Sequence, residues 1–247
     1  LEAARVAAER GHSVTLYEKK GSVGGLLEFA NNVKGPHENL SVLRSYFERQ
    51  MEVLGVNVML NTEATADIIA EASPDIVIAA TGGVRDTLGL SDTAGTKVVG
   101  IDDFMMADIA EEVVIVGSNV QAIDAAMYLL AQGKHVQVVT PNAASAIGAG
   151  HSFWVKTFTQ PNMKALGVRF WPEATVTAVN DGSVTVKTAT GIEQEIACGT
   201  VVEALDCLPN DNLSTGLSCE VVTVGDAARP FNIGEAICSG NAAARAI

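Results

Sequence analysis

Val113-Val114-Ile115-Val116-Gly117-Ser118-Asn119-Val120-Gln121-Ala122-Ile123-Asp124-Ala125-Ala126 is a run of branched apolar residues that breaks at a glycine and resumes as an alanine-rich segment. The pattern predicts a buried strand, a tight turn and a helix start, the opening of a βαβ unit whose loop cradles a dinucleotide. The same unit occurs twice. An offset of 122 positions lays Ile123-Asp124-Ala125-Ala126 through Gly133 on Leu1-Glu2-Ala3-Ala4 through Gly11 without a gap, and Val136-Gln137-Val138-Val139 on Val14-Thr15-Leu16-Tyr17. In the earlier copy the strand and glycine loop have no counterpart, because the last loop position would fall immediately before Leu1. The expectation is a fragment of a larger protein that starts just after a phosphate-binding loop.

Composition narrows the function classes. Of 247 residues, 48% are apolar and 18% charged, ample for a buried core and for two modest domains. The formal net charge of −13 repels phosphate backbones and anionic lipid, so neither nucleic acid nor a membrane is expected as a partner. Local phosphate binding survives that charge, since backbone N–H groups and a helix dipole supply it. No apolar run approaches the roughly 20 residues that span a bilayer. Leu1 to Arg10 reads as a charged helix, not a signal peptide, and the expected location is cytoplasmic. The cysteines at 198, 207, 219 and 238 form no C-x-x-C pair. Separate reduced thiols in or near the core are expected, which removes a dithiol relay from the options.

Alternating strands and helices set an α/β class. Leu1 to Arg10 predicts a helix closed by Gly11, Ser13 to Tyr17 a strand ending at Glu18, and Val42 to Leu54 a helix. Val56 to Leu60 predicts a strand, Ala66 to Ala72 a short helix, and Ile76 to Ala80 a strand running into Thr81-Gly82-Gly83. Beyond the 113–139 unit come a short helix near Pro161 to Leu166 and a meander of Thr175–Val179, Ser183–Thr188 and Glu193–Ala197, then a buried strand from Thr200 to Leu205. The last strand, Val221 to Val224, and the helix from Asn232 to Ala246 are too short for a domain of their own and are expected to return to the first sheet. The result is two Rossmann-like dinucleotide-binding domains, the second (98–219) inserted into the first (1–97 plus 220–247), with the first strand and Gly loop of the first domain absent.

Five segments carry a family resemblance that covers almost the whole chain: Gly11-His12-Ser13-Val14-Thr15-Leu16-Tyr17-Glu18-Lys19, Gly24-Gly25, Asn61-Thr62-Glu63-Ala64-Thr65, Pro74-Asp75-Ile76-Val77-Ile78-Ala79-Ala80-Thr81-Gly82-Gly83 and Val224-Gly225-Asp226-Ala227. The chain resembles the FAD- and pyridine-nucleotide-binding C-terminal half of the NADH:flavin oxidoreductases, which include 2,4-dienoyl-CoA reductase, 2-enoate reductase and, more distantly, trimethylamine dehydrogenase. The resemblance implies FAD in the first domain and NAD(P)H in the second. It also implies an N-terminal TIM-barrel half with FMN and a 4Fe-4S cluster, none of which this sequence contains, and which would be the chain's partner.

Each site residue follows from that frame. Glu18, with Lys19 beside it, stands where a carboxylate accepts hydrogen bonds from both hydroxyls of an adenosine ribose. Gly24 and Gly25 let backbone approach a pyrophosphate; Leu26 stands where the family often has glutamine. The resemblance further implies nucleotide contacts at Ala64, Thr81 and Gly82, and places Gly225 and Asp226 at the flavin ribityl chain with Ile233 opening a helix aimed at the flavin or the phosphates.

The second site departs from the pattern. Its loop, Gly117-Ser118-Asn119-Val120-Gln121-Ala122, has asparagine at the middle glycine, where a side chain would obstruct a pyrophosphate. Asparagine does tolerate the left-handed conformation. Thr140, followed by Pro141-Asn142, replaces the ribose-binding acid, and no arginine is adjacent for a 2′-phosphate. His12, His37, His135 and His151 are expected in loops or on the surface, and both tryptophans, Trp154 and Trp171, under a long loop. Two functions stand: an electron-entry module passing electrons from NAD(P)H through FAD to an iron–sulfur cluster and FMN that reduce an enoate or dienoyl-type substrate, or a nucleotide-binding structural module with a vestigial nicotinamide site. Without its first strand, the first sheet would expose a groove that favours homo-oligomers.

Overall fold

The structure, a computed structural model, describes residues 1–35, 38–210, 212–213 and 217–247; His37 lies outside the described residues, as does the side chain of Trp154. In chain order the elements are α1 (Glu2–Glu9), β1 (Thr15–Tyr17), α2 (Leu26–Lys34), α3 (Leu40–Val53), β2 (Asn57–Met59), α4 (Ala66–Ala72), β3 (Ile76–Ala79) and β4 (Val84–Arg85). There follow β5 (Lys97–Gly100), β6 (Glu112–Val116), α5 (Val120–Ala131), β7 (His135–Val139), α6 (Phe153–Ala165), β8 (Arg169–Trp171), β9 (Ala174–Asn180), β10 (Ser183–Thr188), β11 (Glu193–Ala197) and β12 (Thr200–Glu203). The chain closes with β13 (Cys207–Leu208), β14 (Glu220–Thr223) and α7 (Ile233–Ala246). It divides into two compact units, one made of Leu1–Val84 and Cys207–Ile247, the other of Arg85–Asp206.

Those divisions fall 13 residues before the expected ones at 97/98 and 219/220. Polar contacts explain the shift. Arg85 makes a two-pronged bond to Asp102 at 3.0 and 2.8 Å, and the Thr87 hydroxyl and Leu88 N–H both donate to Glu203 at 3.0 Å. These fasten 85–97 to the second unit. On the return, Asn210 N–H donates to the Ala227 carbonyl at 2.8 Å, within the first unit.

In the second unit five parallel strands lie in the order β5-β12-β6-β7-β8. Helix α5 crosses between β6 and β7, as the strand–glycine–helix pattern predicts, and Val113, Val114, Ile115 and Val138 are at most 1% exposed because both faces of the sheet are covered. The antiparallel meander β9-β10-β11 packs its inward face, Val176, Val184, Val186 and Ile196, against Val114, Val116, Val139 and Val201. Two elements differ from expectation. Helix α6 begins at Ser152, whose hydroxyl accepts the Val155 N–H at 3.4 Å, so Pro161 sits inside the helix and not at its first turn. β8, three residues long, was too short for a periodic signal; it pairs with β7 from Gln137↔Arg169 to Val139↔Trp171.

In the first unit β1 pairs with β2 and β3 with β14, both parallel, and no ladder joins the two pairs among the described residues. Helix α1 touches both. Its Ala4 packs with Met51 and Val56 and near Val14 and Leu16, while Ala3, Val6 and Ala7 pack with Ala244 and near Ile78. Helices α1 and α7 run the same way. Asn241 donates to Glu2 at 2.7 Å, and Arg10 donates to the Ile247 carbonyl at 2.9 Å. Small residues permit this close pairing: a Cβ on Gly240 would sit 3.4 Å from the Ala3 nitrogen. The α7 N-terminus at Ile233 therefore lies roughly 10 Å ahead of the α1 N-terminus, given about 1.5 Å of rise per residue. Helix α2, not foreseen, opens directly after Gly25 and buries Leu27, Phe29 and Val33.

Candidate functional site

The first unit collects its site at the carboxyl ends of its strands. Glu18 follows β1; its N–H donates to the Met59 carbonyl (2.9 Å), its own carbonyl accepts from Thr62 N–H (2.9 Å), and its carboxylate accepts from Lys20 N–H at 2.8 Å. These bonds set Glu18 beside the loop that holds half-buried Ala64, while Lys19 is exposed. Glu18 also lies close to the start of α1. Gly24 and Gly25 both have positive φ, +113° and +51°, and Gly25 caps α2 with backbone alone.

At the other end of the unit, three turns meet. The Thr81 hydroxyl, beside Gly82 at φ +76°, donates to the Asn210 carbonyl at 3.2 Å. Gly225 N–H donates to the Ser239 hydroxyl at 3.0 Å, and one Asp226 oxygen accepts from Phe231 N–H at 3.2 Å. Asn232 caps α7 by accepting from Glu235 N–H at 2.9 Å. The N–H groups of Ile233 and Gly234, in the first turn, have no intrahelical partner and carry the positive end of the helix dipole. Asn210 was missed in the sequence, where nothing periodic marks it. Its side-chain oxygen Oδ1 is buried without a hydrogen-bond partner, the single such atom among the described residues.

In the second unit the loop after β6 is shaped by its own chain. Gly117 has φ +144°, and a Cβ there would drive into the carbonyl of Ala204, the residue after β12, with the carbonyl carbon at 2.7 Å; only glycine fits. Asn119 does not take the left-handed conformation its type allows: φ is −72°. Nor does its side chain fill the cradle. Oδ1 accepts Ala122 N–H at 2.9 Å, capping α5, and Nδ2 lies 3.0 Å from the Ala204 carbonyl, 3.2 Å from that of Leu205 and 3.0 Å from Asp206. The cap takes one of the first-turn donors, leaving Val120 and Gln121 N–H.

The segment after β7 lies against this loop. Gly148 N–H donates to the Ser118 carbonyl at 2.6 Å, Asn142 to the Ser118 hydroxyl at 3.0 Å, and Ala149 bridges Asn119. Thr140, at the position of the ribose acid, is fully buried, and its hydroxyl accepts Asn142 N–H at 3.2 Å.

His12 is exposed. His135 pairs with Glu112 at 2.7 Å on the surface, and that carboxylate holds its imidazole above the ordinary value. His151, expected in a loop, has a buried ring 3.3 Å from Asp124. Cys198 is buried and its thiol is pushed up to about 11 by desolvation, Cys207 and Cys219 are half-buried, and Cys238, against expectation, is exposed; no disulfide joins any two of them. No cluster of three metal-ligating side chains and no helix long and apolar enough to cross a membrane occurs among the described residues.

Comparison with known proteins agrees with this geometry. Residues 1–226 match the family model described as pyridine nucleotide-disulphide oxidoreductase. The chain is 36% identical over 141 residues to a cinnamate reductase of Clostridium sporogenes, covering 56% of this chain and 21% of that protein. It is 30% identical over 215 residues to a bilirubin reductase of Mediterraneibacter gnavus, covering 85% and 32%. Among solved structures, a 2-naphthoyl-CoA reductase bound to 2-naphthoyl-CoA matches with a TM-score of 0.83 at 31% identity, over 97% of this chain and 37% of that one. A histamine dehydrogenase from Rhizobium sp. 4-9 shares the fold at TM-score 0.81 and 22% identity, over 100% and 40%. The chain spans 21% and 32% of the length of the two curated relatives named.

Proposed function

Given that the chain belongs to the pyridine nucleotide-disulphide oxidoreductase family, we propose that it is the electron-entry module of a larger flavin oxidoreductase, with FAD in the first unit and NAD(P)H as donor. The observation that carries this reading is the pair of parallel helices α1 and α7. Their N-termini, staggered by roughly 10 Å, offer two positive dipole ends along one line, which suits one extended dinucleotide better than a mononucleotide. Glu18 stands at the α1 end, where it would accept hydrogen bonds from ribose hydroxyls. Thr81, Asp226 and the Ile233 and Gly234 N–H groups stand at the other end, and the unpartnered Asn210 Oδ1 lies with them.

FAD, when bound, converts two-electron donation by a nicotinamide into single-electron delivery. The residues position and polarise, and no acid or base is required of them. No dithiol relay is assigned to this stretch, because its cysteines, at 198, 207, 219 and 238, form no C-x-x-C pair. Downstream carriers, FMN and a 4Fe-4S cluster, would belong to a TIM-barrel half, and an enoate or dienoyl-type compound would be reduced there. Anaerobic addition of NADH, then NADPH, to the FAD-loaded full-length protein tests this. Bleaching of the flavin band is expected, and an unbleached band with both donors refutes electron entry.

One observation favours a second reading. Asn119 ties the phosphate loop of the second unit to the end of β12 and uses an α5 donor, and Thr140 presents no hydroxyl to a ribose. The second unit would then be a structural module with a vestigial nicotinamide site. NAD(P)H that neither binds nor bleaches the flavin, with FAD retained, selects this reading.

A further inference from the structure

Burying a carbonyl oxygen without a donor costs free energy, so native chains rarely leave one. Asn210 Oδ1 is such an atom. Its surroundings are well made: the Asn210 backbone accepts from the Thr81 hydroxyl at 3.2 Å and donates to the Ala227 carbonyl at 2.8 Å, so it staples the Thr81-Gly82 turn to the Gly225-Asp226-Ala227 turn. Ala227 is fully buried. Both bonds use main-chain atoms of Asn210, so neither depends on its side chain. An acceptor left without a donor at the meeting of two turns is one that a bound hydroxyl would satisfy.

We propose that Asn210 contacts the cofactor, its Oδ1 accepting a hydrogen bond from a hydroxyl of the FAD ribityl chain. This rests on the proposal that the first unit binds FAD. The chemistry selects the donor. An amide oxygen can only accept; a pyrophosphate carries no proton at neutral pH, whereas ribityl hydroxyls donate. Asp226, on the adjoining turn, already accepts Phe231 N–H at 3.2 Å with one oxygen, so the two residues would share the polyol chain.

The test compares wild type with Asn210→Leu and Asn210→Ala in the full-length protein, measuring FAD affinity by flavin fluorescence and the melting temperature of the FAD-free form. The expected result is a loss of FAD affinity of roughly three- to tenfold, the worth of one neutral hydrogen bond, with the melting temperature of the FAD-free protein unchanged or raised because an unsatisfied acceptor is gone. Unchanged affinity overturns the assignment. A loss of affinity that comes with a lower melting temperature in the FAD-free form also overturns it, since Asn210 would then be holding the fold. Wild type that takes up no FAD overturns the flavin reading and the assignment together, which separates that failure from the others.

Discussion

Replacing Asn119 by glycine should weaken the second unit and open its phosphate loop. The wild-type side chain caps α5 and binds the end of β12 through Nδ2, whose two protons make at most two full bonds among the Ala204, Leu205 and Asp206 acceptors. Glycine at an N-cap costs only a few tenths of a kcal/mol relative to asparagine. One neutral bond contributes about 1 kcal/mol and one to an exposed carboxylate about 1.5 kcal/mol. The sum is about 2–3 kcal/mol, or a fall of about 6–15 °C in the melting of a unit of this size. The same change returns Ala122 N–H to the cradle and releases the loop from the chain that follows β12, so NAD(P)H affinity should rise. Calorimetry and nucleotide titration by fluorescence measure both. If stability falls while affinity is unchanged or lower, Asn119 is not what closes the site, and the argument from the strap fails.

Other expectations follow from single contacts. Gly117→Ala should destabilise the second unit by about 2–5 kcal/mol through positive-φ strain and overlap with the Ala204 carbonyl, whereas Gly133→Ala, at φ +81° with nothing within 4 Å of its Cβ, should cost about 1 kcal/mol; equal losses in urea unfolding would refute the steric account. Glu18→Gln should weaken FAD binding in equilibrium dialysis by roughly three- to tenfold, removing charge-assisted acceptance of ribose hydroxyls; unchanged binding would detach Glu18 from the adenosine. Glu2 has its pKa lowered, first by its hydrogen bonds with Arg5. Its stabilisation is therefore present above the ordinary value of 4.5 and lost as pH falls through the lower folded value. The melting temperatures of wild type and Glu2→Gln should converge on acidification, and a gap that persists at pH 2 would contradict this.

The repeat made the architecture legible, because the helix, its closing glycine and the strand that follows leave marks that survive in both copies. Ala66–Ala72, Ser183–Thr188 and Glu193–Ala197 have the bounds their patterns predict. Three-residue β8 and the helix after Gly25 left weaker marks. Pro161 misled because proline is favoured in a first turn, while Ser152, the true cap, stands nine residues earlier. Domain edges were legible only to within the polar segments 85–97 and 207–219, whose allegiance is decided by side-chain bonds such as Thr87 to Glu203. At the sites, residue types were readable but directions were not. Asn119 was expected to project into a cradle and instead turns back on β12; Thr140 was placed at a ribose and is buried. Asn210 carries no motif, and only an acceptor left without a donor reveals it.

The division of the first unit across both ends of the sequence imposes an order on biosynthesis. Residues 85–206 form a contiguous unit that can close its sheet as soon as β12 leaves the ribosome. The first unit has to wait: β3 lacks β14, and Ala3, Val6 and Ala7 of α1 lack Ala244, until the second unit has been made. Such distant pairings form slowly, since loop closure must precede the contacts that reward it. Asn210, Asp226 and the α7 N-terminus all emerge in that last stretch. Flavin incorporation should therefore wait until α7 has been made, and nascent chains stalled before Ile233 should be protease-resistant in the second unit alone.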